Sequence, residues 1–272
     1  MLPAVENLLL EASGEVLTIW FNRPRSRNAL SAAMADELAA VLEALPGESC
    51  RCVVLRGKGG AFCSGGDLKM FREVFQGDAA REDIVRFSAD FGRTLRAIRE
   101  LPQLFIVAIE GIAMAGGLGI ACLADVVLTT ADARFALTEV TLGIPPAQIA
   151  PVVMRRVGAS QARRLLLTAQ RFDGREAQRL GFAHFVDEDV SAMEARLAEL
   201  LAEARRAAPG AVKLTKQIIN AALVLDETAQ VQFAAERFAD ALLGEEAREG
   251  MRAFAEKRAT RWSRAPAAGG EA

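Results

Sequence analysis

The residues best placed to do chemistry lie in two glycine-rich turns, AFCSGGD at 61–67 and AMAGGLG at 113–119. Each follows an apolar, strand-like run, and each opens a helix. Small residues let a ligand come close to the backbone, and the first N–H groups of a helix point outward at the positive end of its dipole. Each turn is therefore a candidate anion site. Two such turns converging on one oxygen would form an oxyanion hole of backbone donors, suited to a reaction that develops enolate character on a carbonyl. Taken alone, either cluster also reads as an ordinary tight turn.

The rest of the composition narrows the chemistry. Cys50, Cys52, Cys63 and Cys122 give one C-x-C and no paired C-x-x-C, and His184 is the only histidine. Neither a zinc site nor a disulfide scaffold is expected, and a reducing cytoplasm fits best. The 272 residues carry 35 acidic and 33 basic side chains, a formal charge of −2, so no basic surplus points to nucleic acid or an anionic membrane. At 51% hydrophobic and 25% charged the chain has a globular composition, long enough for one large domain or one domain with an extension. The N-terminal MLPAVENLLLEASGEV lacks a basic stretch before its apolar run and is not read as an export signal. The most apolar stretch, 104–128, is broken by Glu110 and Asp125, which leaves less than the ~18–20 residues of a membrane span.

The elements that must hold the two turns follow from pattern. VLTIWF at 16–21 reads as a strand closed by the polar turn NRPRSR, and 28–45 as a helix with Ser31 as a cap and Met34, Leu38, Val41, Leu42 and Leu45 on one face. Strands are expected at 52–57 (CVVLRG), 104–109 (LFIVAI), 125–130 (DVVLTT) and 133–137 (ARFAL). Helices are expected from near Asp67, over roughly 80–100, and in a short piece ending near Leu123. Short strand, tight turn and short helix succeed one another, which suggests a layered α/β core rather than a doubly wound sheet. From about 158 the pattern turns helical, with amphipathic segments at 160–170, 189–207, 210–224 and 227–259 and a disordered tail, APAAGGEA.

In their full setting the motifs say more. AFCSGGDLKMF, IEGIAMAGGLGIACLADVVLTTADARFALTEVTLGIPPAQIAP, RFDGREAQRLGFAHFVDED and EGMRAFAEKRATRW occur in that order and resemble the enoyl-CoA hydratase/isomerase, or crotonase, superfamily. The resemblance runs from about Val16 to Trp262. It implies a crotonase-type layered β-β-α spiral core over 1–200 that binds an acyl-CoA, with a helical C-terminal assembly region over 201–272 forming homotrimers or hexamers. It implies no cofactor beyond the coenzyme A of the substrate.

Carried over by position, the resemblance makes Ser64 and Gly116 the residues whose N–H groups bind the thioester oxygen, and Glu139 the catalytic acid/base. Arg25, Arg27 and Ala29 match the segment that meets the pantetheine and phosphates of coenzyme A. Ala61, Asp67, Leu68, Gly117, Gly119 and Gln148 join the substrate-binding set, with Asp67 suited more to capping a helix than to catalysis. Phe254 and Lys257 match positions that reach a neighbouring subunit's coenzyme A.

Hydratases of the best-known type in that superfamily hold one water between two glutamates, and here glycine stands at one of the two positions, Gly119. Only Glu139 survives, and one carboxylate can still take a proton from water and return it, or carry a proton between two carbons. Glycine at 119 together with PAQIAP is similar to the isohexenylglutaconyl-CoA hydratases, whose branched, carboxylated substrate would use the room left by the missing side chain. Lys69 and Arg72 are candidates to pair that carboxylate. Glu110 reads as a structural acid at a strand end, Gln148 as either a turn residue or a polar group for water or substrate, and His184 as a surface or capping residue. The expected reaction is hydration of an α,β-unsaturated acyl-CoA. The alternative is isomerisation of a β,γ double bond to α,β, and a non-enzymatic RNA-binding or scaffold role fits poorly with the acidic balance and Glu139.

Overall fold

The computed structural model describes residues 1–67 and 80–264. Six strands form the main sheet, in the order β1 (Leu8–Ser13), β2 (Val16–Phe21), β3 (Cys52–Gly57), β4 (Leu104–Ile109), β6 (Val126–Thr130) and β9 (Phe185–Asp187). Only the β1–β2 pair is antiparallel; every later pair is parallel, and each return of the chain adds a strand on the same side. The strands between, β5 (Ile112–Met114), β7 (Arg134–Ala136) and β8 (Phe172–Asp173), form a second, three-stranded sheet. A chain that steps one way through one sheet while laying down a second is the layered spiral expected from the short strand–turn–helix units.

The alternation of side chains along the strands separates two cores. Leu17, Ile19, Phe21, Val53, Leu55, Phe105, Val107 and Ile109 point to one face and pack with Met34, Leu38 and Val41 of helix α1 (Ala32–Ala44), with Leu95 and Ile98 of α2 (Arg81–Glu100) and with Phe135 of the second sheet. Val54, Ile106, Ala108 and Leu128 point to the other face, where Met193 and Leu197 of α6 (Val190–Ala204) cover them. Burial on both faces explains why β3 and β4 read as unbroken apolar runs.

The remaining helices are α3 (Ala115–Ala121), α4 (Ala150–Thr168), α5 (Gly174–Arg179), α7 (Pro209–Ala222), α8 (Glu227–Leu243) and α9 (Glu245–Ala255). Three expectations shift. The helix read over 28–45 begins only at Ala32, because Arg27 and Asn28 hold left-handed backbone (φ 51° and 56°) and Ser31 accepts the cap bond from the Met34 N–H. The segment read over 227–259 is two helices parted at extended Gly244, and β1 was hidden by Glu11 and by the exposure of its last three residues. The helix expected from near Asp67 falls on 68–79, outside the described residues.

The C-terminal helices are fastened to the core by partly buried polar contacts. Lys216 Nζ on α7 donates to Asp125 Oδ2 at 2.5 Å and to the Gln103 carbonyl at 2.7 Å, and Arg51 on the core donates to the Trp262 carbonyl at 2.8 Å. Among the described residues no helix is long and apolar enough to cross a membrane.

Candidate active site

Three chain segments run parallel and side by side toward one point. Cys63 bridges to Ala113, and Ala113 pairs with Phe135 on β7. Two residues beyond the first row, Gly65 takes φ +95°, and a Cβ on it would lie 3.0 Å from the Ala115 Cβ, so the two glycine turns stay in register as they leave the row. One step further come Gly66 and Gly116, while the third segment continues through Leu137 and Thr138 to Glu139. Neither the Gly66 nor the Gly116 N–H has an acceptor among the described residues. Both are spare donors at the ends of parallel strands, and Gly116 also sits in the first turn of α3.

This corrects the expected donor in the first turn. The Ser64 N–H already donates to the Arg27 carbonyl at 3.0 Å, and its hydroxyl donates to the Ser26 carbonyl at 3.1 Å. Ser64 therefore holds the N-terminal turn in place. The left-handed Gly65 (φ 95°) breaks the alternation of the extended backbone, and the Asp67 N–H is spent on the Leu30 carbonyl at 2.9 Å, so the free donor of this turn is at Gly66. Nothing in the residue types of CSGG distinguishes these two positions.

Glu139 opens the single turn of 3-10 helix Glu139–Leu142 that follows β7. Its Oε2 is buried and has no hydrogen-bond partner among the described residues. Burial pushes the carboxyl pKa above its ordinary value of 4.5, opposed only by a bond from its own backbone N–H. A carboxylate that is partly desolvated, has one oxygen without a partner and has its pKa raised is equipped to accept and return a proton.

The second carboxylate position is closed. A Cβ on Gly119 would fall inside the Cγ2 of Ile149, which is itself only 3% exposed. The room that glycine leaves at 119 is thus occupied by Ile149 and is not open to a larger acyl group, contrary to the expectation from sequence. Gly117 is needed for close packing as well, since a Cβ there would lie 2.5 Å from the Cys63 Cβ. Gln148 turns to α2, where its Nε2 donates to Ser88 Oγ at 3.2 Å.

The N-terminal turn is built around a residue that sequence reading passed over. Asn28, fully buried, accepts from the Arg23 N–H at 2.8 Å and donates to the Lys58 and Ala61 carbonyls at 2.9 and 2.6 Å. Arg23 adds bonds to the Ala29 carbonyl at 2.6 Å and to Asp67 Oδ2 at 3.1 Å. Ala29 and Ala61 are consequently buried in the scaffold of the turn, while Arg25 and Arg27 are left exposed beside an open hollow of about 350 Å³ lined by residues 22–26. Asp67 closes the turn through Arg23, and Leu68, Lys69 and Arg72 lie outside the described residues. The signal for Asn28 is available in retrospect: asparagine tolerates left-handed backbone better than other non-glycine residues.

Phe254 and Lys257 lie at the end of α9, both exposed, far along the chain from the glycine turns. The turn that carries Lys257 is held by Arg258, whose guanidinium grips buried Glu249 at 2.7 and 3.0 Å. Glu110 contributes its carbonyl to the Phe62 N–H. His184 bonds to backbone: its Nδ1 accepts from the Val127 N–H at 2.9 Å and its own N–H donates to the Val127 carbonyl at 2.9 Å, just ahead of the β6–β9 pairing. Among the described residues no group of three or more histidines, cysteines or acids could hold a metal ion.

Two spare backbone donors in register, with the half-buried Glu139 four residues beyond the same strand row, give the arrangement that holding a developing oxyanion and moving a proton near it requires. The chain belongs to the enoyl-CoA hydratase/isomerase family, whose sequence profile matches residues 11–265, and it is an enzyme of that family with the crotonase fold. It is 31% identical over 257 residues to the short-chain-enoyl-CoA hydratase of Clostridium acetobutylicum, covering 93% of this chain and 96% of that protein. Among solved structures, Pseudomonas aeruginosa AtuE superposes with a TM-score of 0.92 at 47% identity, over 95% of this chain and 100% of that one. An enoyl-CoA hydratase/isomerase from Marinobacter aquaeolei superposes with a TM-score of 0.90 at 38% identity, over 95% and 99% of the two chains.

Proposed function

We propose that this enzyme adds water across the α,β double bond of an acyl-CoA thioester, with Glu139 as the only acid/base. The thioester carbonyl oxygen accepts from the Gly66 and Gly116 N–H groups. Glu139 takes a proton from water as the water oxygen bonds to the β-carbon, the electron pair of the double bond moves to the α-carbon and the thioester oxygen, and the same carboxyl then returns the proton to the α-carbon. The balance is one water added, with no other reactant. The observation that carries this reading is the buried, unpartnered Oε2 of Glu139 beyond the same strand row that ends in the two spare donors.

Isomerisation is the second reading, and a specific feature favours it. Ile149 stands where a second carboxylate would hold the water, and moving a proton between two carbons needs one base only. A panel of acyl-CoAs read by mass spectrometry separates the two: a product heavier by one water supports hydration, and an unchanged mass with new thioester-conjugated absorbance supports isomerisation.

The remaining parts of the reading concern binding and assembly. Exposed Arg25 and Arg27 are suited to the phosphates of coenzyme A. The similarity of PAQIAP, with glycine at 119, to isohexenylglutaconyl-CoA hydratases supports a branched, carboxylated glutaconyl-CoA as substrate, accommodated elsewhere than at Gly119, whose space Ile149 fills. The region 201–272 serves assembly into a trimer or a pair of trimers, and Lys257 with Phe254 reaches a neighbouring subunit's coenzyme A. Support comes from an apolar surface too large for an isolated chain: Val224, Val231, Phe238, Leu243 and Phe254 on α7–α9 and their connections are all more than half exposed.

A further inference from the structure

We propose that Leu30 is a positioning residue for both oxyanion donors: a bond from its backbone aims the Gly66 N–H, and its side chain bears on Gly116. The proposal rests on the acyl-CoA reading given above and deepens it by naming what holds the two donors to one oxygen.

The backbone half follows from a single peptide plane. Leu30 and Gly66 form a parallel bridge, in which the Leu30 N–H donates to the Gly65 carbonyl at 2.8 Å and the Asp67 N–H donates to the Leu30 carbonyl at 2.9 Å. The Gly65 carbonyl and the Gly66 N–H belong to one planar trans peptide and point in opposite directions. Tying that carbonyl to Leu30 therefore turns the Gly66 N–H away from residue 30, out of the pairing with the N-terminal turn.

The side-chain half is a packing contact. The place of the absent Gly116 Cβ is flanked by Leu30 Cδ1 at 3.2 Å and by Phe91 Cζ at 3.5 Å, and the first is closer than an ordinary carbon–carbon contact. Leu30 is buried in the main core, which holds its side chain against the first turn of α3. Ala115, one residue before Gly116, takes left-handed backbone (φ 48°), and its Cβ lies 3.0 Å from where a Gly65 Cβ would be. The residues just before the two donors thus stand against each other. Leu30 meets the chain on both sides of that contact, through its N–H at residue 65 and through its methyl group at residue 116.

Leu30 is given no contact with the reacting atoms, so its effect passes through the donors. Removal of one oxyanion-hole donor costs about 10²–10³ in kcat, and a displaced donor loses part of that. A side-chain substitution leaves the Leu30 backbone bonds in place and frees the Gly116 side only.

Infrared spectra of bound butanoyl-CoA, labelled with carbon-13 at the thioester carbonyl, test this together with steady-state kinetics on an acyl-CoA that the wild type turns over. A hydrogen-bonded carbonyl vibrates at lower frequency than a free one, and the saturated thioester needs no turnover. The wild type is expected to lower the carbonyl frequency on binding. In Leu30→Ala that shift should shrink and kcat should fall about tenfold, with KM changed much less. Leu30→Met, which keeps the reach of the side chain, should restore most of both. Leu42→Ala, a truncation in the same core away from either glycine, should lower the melting temperature and leave the shift intact. Where Leu30→Ala does not fold, Leu30→Val, which lacks Cδ1, is read in the same way. A full wild-type shift and kcat in the Leu30 variants, a rise in KM alone, or an equal loss of shift in Leu42→Ala overturns the role of Leu30. A wild type that binds butanoyl-CoA without any shift overturns the oxyanion hole itself, and one that does not bind it overturns the acyl-CoA reading.

Discussion

Ile149 occupies, with its Cγ2, the position that the Cβ of any side chain at residue 119 would need. Restoring a carboxylate there is therefore a packing problem before it is a catalytic one. Gly119→Ala is expected to lower stability by about 1–3 kcal/mol, the usual cost of overpacking a filled core. Ile149→Ala deletes Cγ2 and should recover part of that loss in the double variant, so thermal denaturation of the four proteins should show non-additivity. Additive losses would mean that the two residues do not compete for the space. Gly119→Glu alone should be poorly folded or inactive for the same reason.

Glu139 makes the folded protein sensitive to pH in a defined direction. Its folded-state pKa is raised above 4.5 by burial, so the native state holds the proton more tightly than the unfolded chain does. Raising the pH from below 4.5 through the folded-state pKa therefore costs stability. Glu139→Gln removes this cost and is expected to melt higher than the wild type at neutral pH, with the difference closing as the pH falls toward 4.5. A variant that melts lower at neutral pH would contradict the buried, unpartnered state of the carboxylate. The acid limb of kcat/KM should likewise lie above the ordinary glutamate range, since the group must be ionised to act as a base.

Asn28 has three hydrogen bonds to backbone in a fully buried position, and it bridges the N-terminal turn to the turn at 58–61. Asn28→Ala leaves buried backbone groups unpaired and is expected to cost about 1–3 kcal/mol or more of stability. Because Arg25 and Arg27 ride on that turn, KM for an acyl-CoA should rise more than kcat falls. A fall in kcat at unchanged KM would dissociate the turn from binding.

Phe254 is 88% exposed and Leu243 73% exposed, and an isolated chain gains nothing from either. Light scattering at micromolar concentration should give a trimer or a hexamer, and Lys257→Ala should weaken acyl-CoA binding. A monomer that binds acyl-CoA normally would contradict the assembly reading.

Much of this was legible in the sequence where local pattern and tertiary demand agree. The strands at 52–57 and 104–109 are buried on both faces, so composition alone marked their ends. The glycine turns announced themselves by residue type. What pattern did not carry was the direction of single groups. Residues 64 and 66 are both small, and it is the bond from the Ser64 N–H to the Arg27 carbonyl that tells the structural donor from the spare one. Gly119 was visible as an absent side chain, but its filler is 30 residues on, and nothing local in PAQIAP indicates that Ile149 lies over it. Asn28 was read as the start of a helix because its left-handed backbone depends on partners near residues 58–61.

The central claim is that a single carboxylate, Glu139, moves every proton in the reaction. The direct measurement is turnover of α,β-unsaturated acyl-CoAs by the wild type, Glu139→Gln and Glu110→Gln, with products followed by the mass gain of one water and binding followed separately with a saturated thioester. The account expects Glu139→Gln to lose at least the 10²–10⁴-fold typical of a general acid–base group while still binding the thioester, which is held by backbone donors that the substitution leaves in place. Glu110→Gln should cost far less. Retention of most activity in Glu139→Gln together with an inactive Glu110→Gln would contradict the account and move the base to the other strand end.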